Sequence, residues 1–435
     1  MADYITNTAE LTSIANAIRA KSGKTGKLTF PSGFKNEIEA FKIAPEEYIT
    51  GAYDTAGNLI TATVHGYTKI MNCMFAYQQV LTTVYVPDNV TDIGTGAFFE
   101  CALLSSISLP SGLTSIGEMA FYGCNTGLTS ISLPENVSHI GDLAFAYCQA
   151  LTSIALPSGI PSINDGTFAR CTKLTSVSLP TGLLSIGNNA FKECKALALD
   201  SLPSGVTSIG DHAFDNCTNL ALTSLPSGVT SIKDCAFYNC TNLALTSLPS
   251  GITSIGENAF YHCTNLALTS LPAGITSIGA GAFAGCSKIT LSSLPEGLTA
   301  IESSTFSDCS EITLTSLPVG ITSIDSFAFA GCSKLALTSL PDGLTNIEWS
   351  AFSGCTNLAI SHIPSAVTYV RSTAFENCTG LTSITFDGEP DTINSSAFRG
   401  CTNLTEIKVP WAQGAVSGAP WGATKATITY NYTGT

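Results

Sequence analysis

The sequence predicts a repeat solenoid: an arc of fifteen 23-residue coils carrying parallel strands and short helical turns, preceded by a small helical N-terminal module. Three observations predict it. A Phe, in most copies behind Ala, recurs at 75, 98, 121, 145, 168, 191, 214, 237, 260, 283, 306, 329, 352, 375 and 398, every interval being 23 except one of 24. An Ile or Val stands five residues before each Phe, from Ile70 to Ile393, and a Cys three residues after it in fourteen of the fifteen copies, Gln78 being the exception. Hydrophobic residues make up 44% of the 435-residue chain and charged ones 11%, so Ser, Thr, Asn and Gly must cover the surface, as suits extended β structure. A chain of this length would otherwise divide into several cores, because one core stops growing near ~250 to 300 residues. Coils of one length, with apolar residues in the same slots, bury them by stacking on their neighbours instead. At ~4.8 Å per strand, fifteen coils would give a rod or arc on the order of 70 Å long.

Each coil reads as two short strands and one helical turn. In LSSISLPSGLTSIGEMAFYGC, Leu104 to Leu109 is strand-like and stops at Pro110, which has no N–H to extend a ladder. A Pro closes the same run from Pro87 through Pro364 and again at Pro410, with Asp387 breaking the series. After a Ser-Gly turn, Leu113 to Ile116 supplies a second extended piece, and EMAFYGC reads as one turn of helix. The helical reading rests on the column two residues after the Ile: Asn72, Thr95, Glu118, Asp142, Asp165, Asn188, Asp211, Asp234, Glu257, Ala280, Ser303, Ser326, Trp349, Ser372 and Ser395. Eleven of these fifteen are Asp, Asn, Ser or Thr, the residues that cap helix N-termini. The strand pattern itself changes along the chain. Coils beginning at Leu104, Leu128, Leu151 and Leu174 follow LxxIxLP, the eight from Leu197 to Leu358 follow LxLxxLP, and LTSI returns at Leu381. Moving the inner apolar residue by one position changes the face it covers, so a bulge or a change of twist or curvature is expected near 197 and again near 381.

Leu104, Ile107, Leu109, Leu113, Ile116, Phe121 and Cys124 fall in the order and approximate spacing of a leucine-rich repeat, and the 23-residue form ending in AFxxC resembles the BspA-like bacterial subfamily. The resemblance spans roughly residues 67–410 and implies a leucine-rich-repeat arc with a binding role. One departure stands out: the family's usual buried Asn after the strand is replaced by Pro-Ser-Gly, so its backbone-satisfying role must be met some other way.

Residues 1–44 do not repeat. Leu11, Ile14, Ala15 and Ile18 lie at helical spacing behind Asn7 or Thr8, Gly23 stops the pattern, and a second short helix bears Phe34, Ile38 and Phe41. So small an apolar surface makes a marginal fold that a partner, self-association or the solenoid end would complete. TSIANAIRAK followed by LTFPSGF resembles a module of bacteriophage and prophage tail structural proteins, which implies an attachment role. Residues 45–66 read as a linker and N-terminal cap, 67–410 as the solenoid, and 411–435 as a C-terminal cap in which Trp411 and Trp421 cover the last coil and ATITYNY forms a terminal strand.

The formal net charge of −14 is unevenly spread, residues 1–44 carrying six Lys/Arg against four Asp/Glu, and the rest twelve against twenty-eight. An acidic body without a basic stripe argues against nucleic acid and against anionic membrane surfaces as partners. No apolar run approaches ~20 residues, which argues against membrane insertion, and the first residues lack the apolar stretch of a secretory signal.

Sixteen cysteines raise disulfide and zinc readings, but there are no CxxC pairs, and fourteen of the sixteen share one column beside the Phe, where Cys serves as a small hydrophobe. Cys235 lies outside that column, and His212 holds the same position one coil earlier, making them the single candidate thiol–imidazole dyad; no orienting Asp/Asn column or oxyanion motif accompanies it. Histidines 65, 139, 212, 262 and 362 show no metal spacing. Glu118, Asp142, Asp165, Asp211, Asp234 and Glu257 admit a calcium ladder, but capping explains them and the Ser and Thr that follow. Thr207, Thr230, Thr253 and Thr276 admit a flat lattice-binding face or an ordinary exposed strand. Phe99, Tyr122, Tyr147, Tyr238 and Tyr261, just after the repeat Phe, are the candidate ligand-contacting aromatics, able to stack on sugar rings, to bury in a protein partner or merely to cover the coil edge.

The expectation is therefore a scaffold without enzyme activity, cofactor or metal. It would bind a protein or glycan on a bacterial surface, with residues 1–44 joining a structural protein or a second copy, at a virion or at an extracellular or cell surface. A phage or prophage tail-associated protein is the leading setting. A BspA-like cell-surface adhesin, which would need an export signal, is the alternative, and a cysteine-dependent enzyme is the third.

Overall fold

A computed structural model describes residues 49–433 of the protein, and the chain divides into two compact units, Met1–Leu199 and Asp200–Thr435. The helical N-terminal module expected over 1–44 lies outside the described residues. Each unit is a solenoid that advances one coil per 23 residues or so, and its most regular ladder is the short strand that ends on the Ile or Val five residues before Phe. In the first unit Lys69–Ile70, Asp92–Ile93, Ser115–Ile116 and His139–Ile140 pair in parallel, Ile on Ile. The second unit repeats this with Ser231–Ile232, Ser254–Ile255 and Ser277–Ile278, and then from Ala300–Ile301 to Thr392–Ile393. Where Gly follows the Ile, as at Gly94, the next position brings two backbones together. A Cβ at Gly94 would sit 2.7 Å from the backbone N of Asn72 and 2.8 Å from Ile70 O, closer than real Cβ atoms approach.

The strand expected ahead of every Pro is present in only some coils. An antiparallel hairpin of Ile49–Tyr53 and Leu59–Val64 opens the described residues, and its second strand pairs in parallel with Thr83–Tyr85, which pairs with Ser106–Ser108. Ser153–Ala155 and Ser176–Ser178 pair likewise. In the second unit no described strand precedes any Pro from Pro203 to Pro341, and the ladder returns with His362–Ile363, Ser383–Phe386, Glu406–Lys408 and Thr427–Thr429. The loss falls in seven of the eight LxLxxLP coils; the eighth, at Leu358, borders the regular pattern that returns at Leu381 and keeps His362–Ile363 by pairing with it. In the LxLxxLP coils Leu243, Leu245 and Leu248 point inward while Thr246 and Ser247 are both exposed. Two successive outward residues do not fit a period-2 pleat, so the backbone turns between them. Isolated inter-coil bonds survive in this segment, such as Ala244 N–H to Leu222 O at 3.1 Å.

The segment around each Phe corrects a second expectation: no helix is found among the described residues, and hence none long and apolar enough to cross a membrane. Left-handed residues flank the Phe instead, as with Met119 (φ 54°) and Gly123 (φ 73°) around Phe121, or His212 (φ 55°) and Asn216 (φ 59°) around Phe214. Hydrogen bonds alternate accordingly. Met119, Phe121 and Gly123 donate their N–H groups to Asp142 O, Ala144 O and Ala146 O of the next coil, while Ala120, Tyr122 and Cys124 donate three residues back within their own turn. Spacing decides the matter. A helix is about 10 Å across, whereas neighbouring strands lie about 4.8 Å apart. Successive Phe rings within each unit are stacked with centroids 5.2 to 5.7 Å apart, so the two edges of the coil advance nearly together and leave no room for helices.

The column read as helix caps has a different task. Asn72 Oδ1 accepts the N–H of Thr95 at 3.0 Å, Asp165 Oδ1 that of Asn188 at 2.7 Å, and Asp234 Oδ1 that of Glu257 at 2.8 Å. Each side chain thus serves the backbone of the following coil rather than a turn of its own. At the C-terminal end Phe386, Trp411 and Trp421 pack together, and both Trp rings are buried.

Candidate functional site

The cysteine column sits against the Phe core, all fourteen members buried. In thirteen of them the S–H points back to the Phe carbonyl of the preceding coil: Cys101 Sγ lies 2.9 Å from Phe75 O, Cys171 3.1 Å from Phe145 O, and Cys263 3.0 Å from Phe237 O. These carbonyls and the Asx column together occupy backbone groups in a coil that lacks the family's buried Asn. Burial pushes the Cys171 thiol up to about 12 and that of Cys401 to about 11. Thiolates are the nucleophilic form, so these sulfurs are structural.

Cys235 and His212 are successive occupants of the left-handed position two residues before Phe, with φ of 52° and 55°; Cys73 (φ 55°) holds the same slot in the first coil. The structure supplies a feature that column-by-column reading of the sequence missed. His212 Nδ1 lies 2.9 Å from Asp215 Oδ2, three residues on, and the buried Asp215 carboxylate also accepts from Asn216 Nδ2 at 2.6 Å. A carboxylate therefore orients the imidazole. The Tyr238 hydroxyl is held above its ordinary range, first by burial and then by the charges of Tyr261, Asp215 and Cys235, which places these groups in one neighbourhood. An oxyanion site is a different matter. The N–H groups of His212, Phe214, Asn216 and Cys235 donate to carbonyls of the next coil, and those of Ala213 and Asp215 donate within their own turn. These N–H groups are therefore engaged in joining the coils and closing the turn rather than aimed at a common point.

The five candidate aromatics fall into two groups. In the first unit Phe99 and Tyr122 are buried, 5% and 3% exposed, among Cys73, Ala76, Met119, Leu143 and Ala146, with Tyr147 half-buried at the border. Phe99 stacks on Tyr122 at 4.9 Å, and the Tyr147 ring meets Tyr122 at 5.0 Å, tilted by 45°; the Arg170 guanidinium lies 5.2 Å from the Tyr147 ring and is paired with Glu193. In the second unit Tyr238 and Tyr261 are half-buried and stack at 4.8 Å, with the His262 ring 4.5 Å beyond.

Of the acidic run, Asp142, Asp165, Asp211 and Asp234 each accept the backbone N–H one coil ahead. Asp142 is raised above its usual range, by burial first and then by the Asp165 charge, and lines a cleft of about 430 Å3 with Glu118, His139 and Asn164. Among the described residues no group of three or more His, Cys, Asp or Glu is arranged to hold a metal ion. In the Thr column, Thr253 and Thr276 turn their hydroxyls onto Thr230 O and Thr253 O. Among the described residues the exposed aromatics lie elsewhere: Tyr53 (53%) and Tyr85 (56%) in the first strands, and Phe327 (46%) and Trp349 (57%) in adjacent coils of the second unit. The signal was present in the sequence: Trp349 is the one aromatic in the column of Asp, Asn, Ser and Thr.

Comparison with known proteins agrees with this architecture. No protein among curated ones matches the chain. A leucine-rich repeat protein from Bacteroides ovatus ATCC 8483 shares 23% identity over 90% of this chain and 99% of its own, with a TM-score of 0.49. A leucine-rich cell surface protein from Faecalibacterium prausnitzii A2-165 shares 25% over 80% of this chain and 96% of its own, with a TM-score of 0.47. The model of the BspA-type leucine-rich repeat region matches residues 68–198, 199–313 and 299–415, in six copies. With its repeat region covered from 68 to 415, the chain belongs to the BspA-type leucine-rich repeat family.

Proposed function

We propose that the chain is a non-catalytic adhesion scaffold that a phage or prophage tail presents to the surface of the bacterial host. The observation that carries this reading is how each coil divides its residues. Phe, Ile, Leu and Cys fill the interior, and the turn's N–H groups and the Asx column are spent on joining coils. What remains free to vary points outward, as in a surface built for contact rather than for chemistry. Of the five candidate aromatics, the half-buried rings of Tyr147, Tyr238 and Tyr261 keep surface that a ligand could touch, whereas Phe99 and Tyr122 are buried beside Tyr147. Residues 1–44, basic against an acidic remainder and resembling tail structural modules, attach the scaffold to its assembly. A second setting, display on the bacterial envelope itself, is favoured by membership of the BspA-type family.

The test compares full-length protein with a form lacking residues 1–44, in sedimentation with host cells and in assembly size by light scattering. Retained cell binding with loss of assembly supports the proposal. Lost cell binding with unchanged assembly would make the head the receptor-binding part and overturn it. A head that joins wall components rather than a structural protein would favour the envelope setting.

A further inference from the structure

We propose that the cleft beside Trp349, in the last coils of the second unit, is a binding site for neutral saccharide chains. This rests on the adhesion reading above and names the ligand class. The argument starts from two residues that break the rules of their columns. Trp349 stands where neighbouring coils place Ser326 and Ser372, and it exposes 57% of the largest apolar side chain there is. Phe327 takes the left-handed slot (φ 60°), where a bulky residue is uncommon and where neighbouring copies are Ser304 and Ser350. Met119 and Leu143 occupy the same slot in the first unit but are buried, whereas Phe327 is 46% exposed. Packing therefore explains neither aromatic. Unfavourable local choices without a packing return mark sites kept for function. The two are joined directly, Phe327 donating its N–H to Trp349 O at 2.8 Å.

Beside Trp349 lies a cleft of about 400 Å3, within the range of small-ligand sites. Its other walls include Ser372, Thr392, Asn394, Ser395 and Arg371. Asn394 Oδ1 accepts from the N–H of Ser396 at 3.0 Å and from its hydroxyl at 2.7 Å, which fixes the amide and leaves Nδ2 as a donor. Arg371 is held over the Tyr369 ring at 4.6 Å and lies 3.7 Å from Glu348, so its charge is partly answered within the protein. A broad aromatic face flanked by hydroxyl and amide groups suits a pyranose ring, which has an apolar C–H face and a polar rim. The acidic body disfavours polyanions, and walls of Ser, Thr, Asn and Arg are more polar than the apolar centre of a protein interface.

Trp349 also provides the readout, because Trp411 and Trp421 are buried. Full-length protein is titrated with chito-, malto- and cello-oligosaccharides while intrinsic fluorescence and its quenching by iodide are followed, and cell binding is measured in parallel. A blue shift with protection from iodide for at least one series is expected. W349A should weaken that binding by about tenfold or more, and Asn394→Ala should weaken it without removing the fluorophore. Absence of any shift from all three series, with W349A protein binding cells as well as the parent, would overturn the site and leave the adhesion reading standing. Loss of cell binding by W349A that survives complete glycosidase treatment of the cells would assign the surface to a protein partner and overturn the saccharide proposal. Parent protein that binds neither saccharide nor cells would fail both readings.

Discussion

Replacing Cys263 by Ser, Ala and Val in turn separates two physical roles of the thiol column. If Cys is only a small hydrophobe, Ala and Val should be tolerated and Ser should be worst. The structure argues otherwise, since Cys263 Sγ lies 3.0 Å from Phe237 O, a carbonyl that also accepts the Cys240 N–H at 3.1 Å. Ala removes one of these two bonds and opens a small void, together about 1 to 2 kcal/mol. Val removes the same bond and thrusts a methyl at the carbonyl, adding about 1 to 3 kcal/mol of overpacking. Ser keeps a donor, and a stronger one, across a slightly longer gap, so its cost should stay near or below about 1 kcal/mol. The predicted order of stability is Cys, Ser, Ala, Val. An array of coils need not unfold in one step, so the measurement is native-state hydrogen exchange of peptides spanning the affected coils rather than one melting curve. If Ser deprotects those amides more than Val does, the thiol is a space-filler and the donor role assigned to it is wrong.

The same column predicts alkaline sensitivity. Burial raises Cys171 from 9.0 to about 12, so stability is fully present below the unfolded value and is lost as pH climbs between the two. Melting temperature should therefore fall between pH 9 and 12, and a flat profile would contradict the buried-thiol account. Columnar thiols should react slowly with a thiol reagent in native protein, with the half-buried Cys235 among the faster ones, as peptide mapping would show. Phe260→Ala, removing a fully buried ring stacked at 5.5 Å on both sides, should cost about 3 to 5 kcal/mol by exchange in its own and neighbouring coils. Asp234→Ala should cost about 1 kcal/mol and specifically expose the amide of Glu257, one coil ahead; faster exchange in residues 236–237 instead would restore the capping interpretation.

The period, the Phe stack and the Ile ladder are legible in the sequence because each is written about fifteen times in the same register. The helical turn is where reasoning from residue types goes astray. Asp, Asn, Ser and Thr accept any nearby N–H, and the sequence does not say whether the donor lies two residues ahead or in the next coil. Coil spacing decides between them, and spacing is a property of the stacked array. The apolar shift at Leu197 is equally visible, but its outcome depends on whether the backbone bulges within a ladder or abandons it. Thr246 and Ser247, both outward, show that it abandons it. Asp215 escaped notice for another reason: it orients His212 from three residues along the chain, whereas a repeat directs attention to residues 23 apart.

Exposure in such an array is decided by triplets down a column rather than by residue type. Tyr122 is buried because Phe99, its column neighbour, stacks on one face and Tyr147, from the adjoining column of the next coil, leans on it at a tilt. Phe327 lies between Ser304 and Ser350, and Trp349 between Ser326 and Ser372, so neither finds a partner one coil away. An aromatic's place after the repeat Phe is by itself a poor guide to ligand contact, because aromatics in succession from coil to coil cover one another. The informative ring is one that stands alone among small polar neighbours. Such a ring adds little to the core, and among coils that otherwise repeat their choices closely it is the first place to test for contact with something outside the chain.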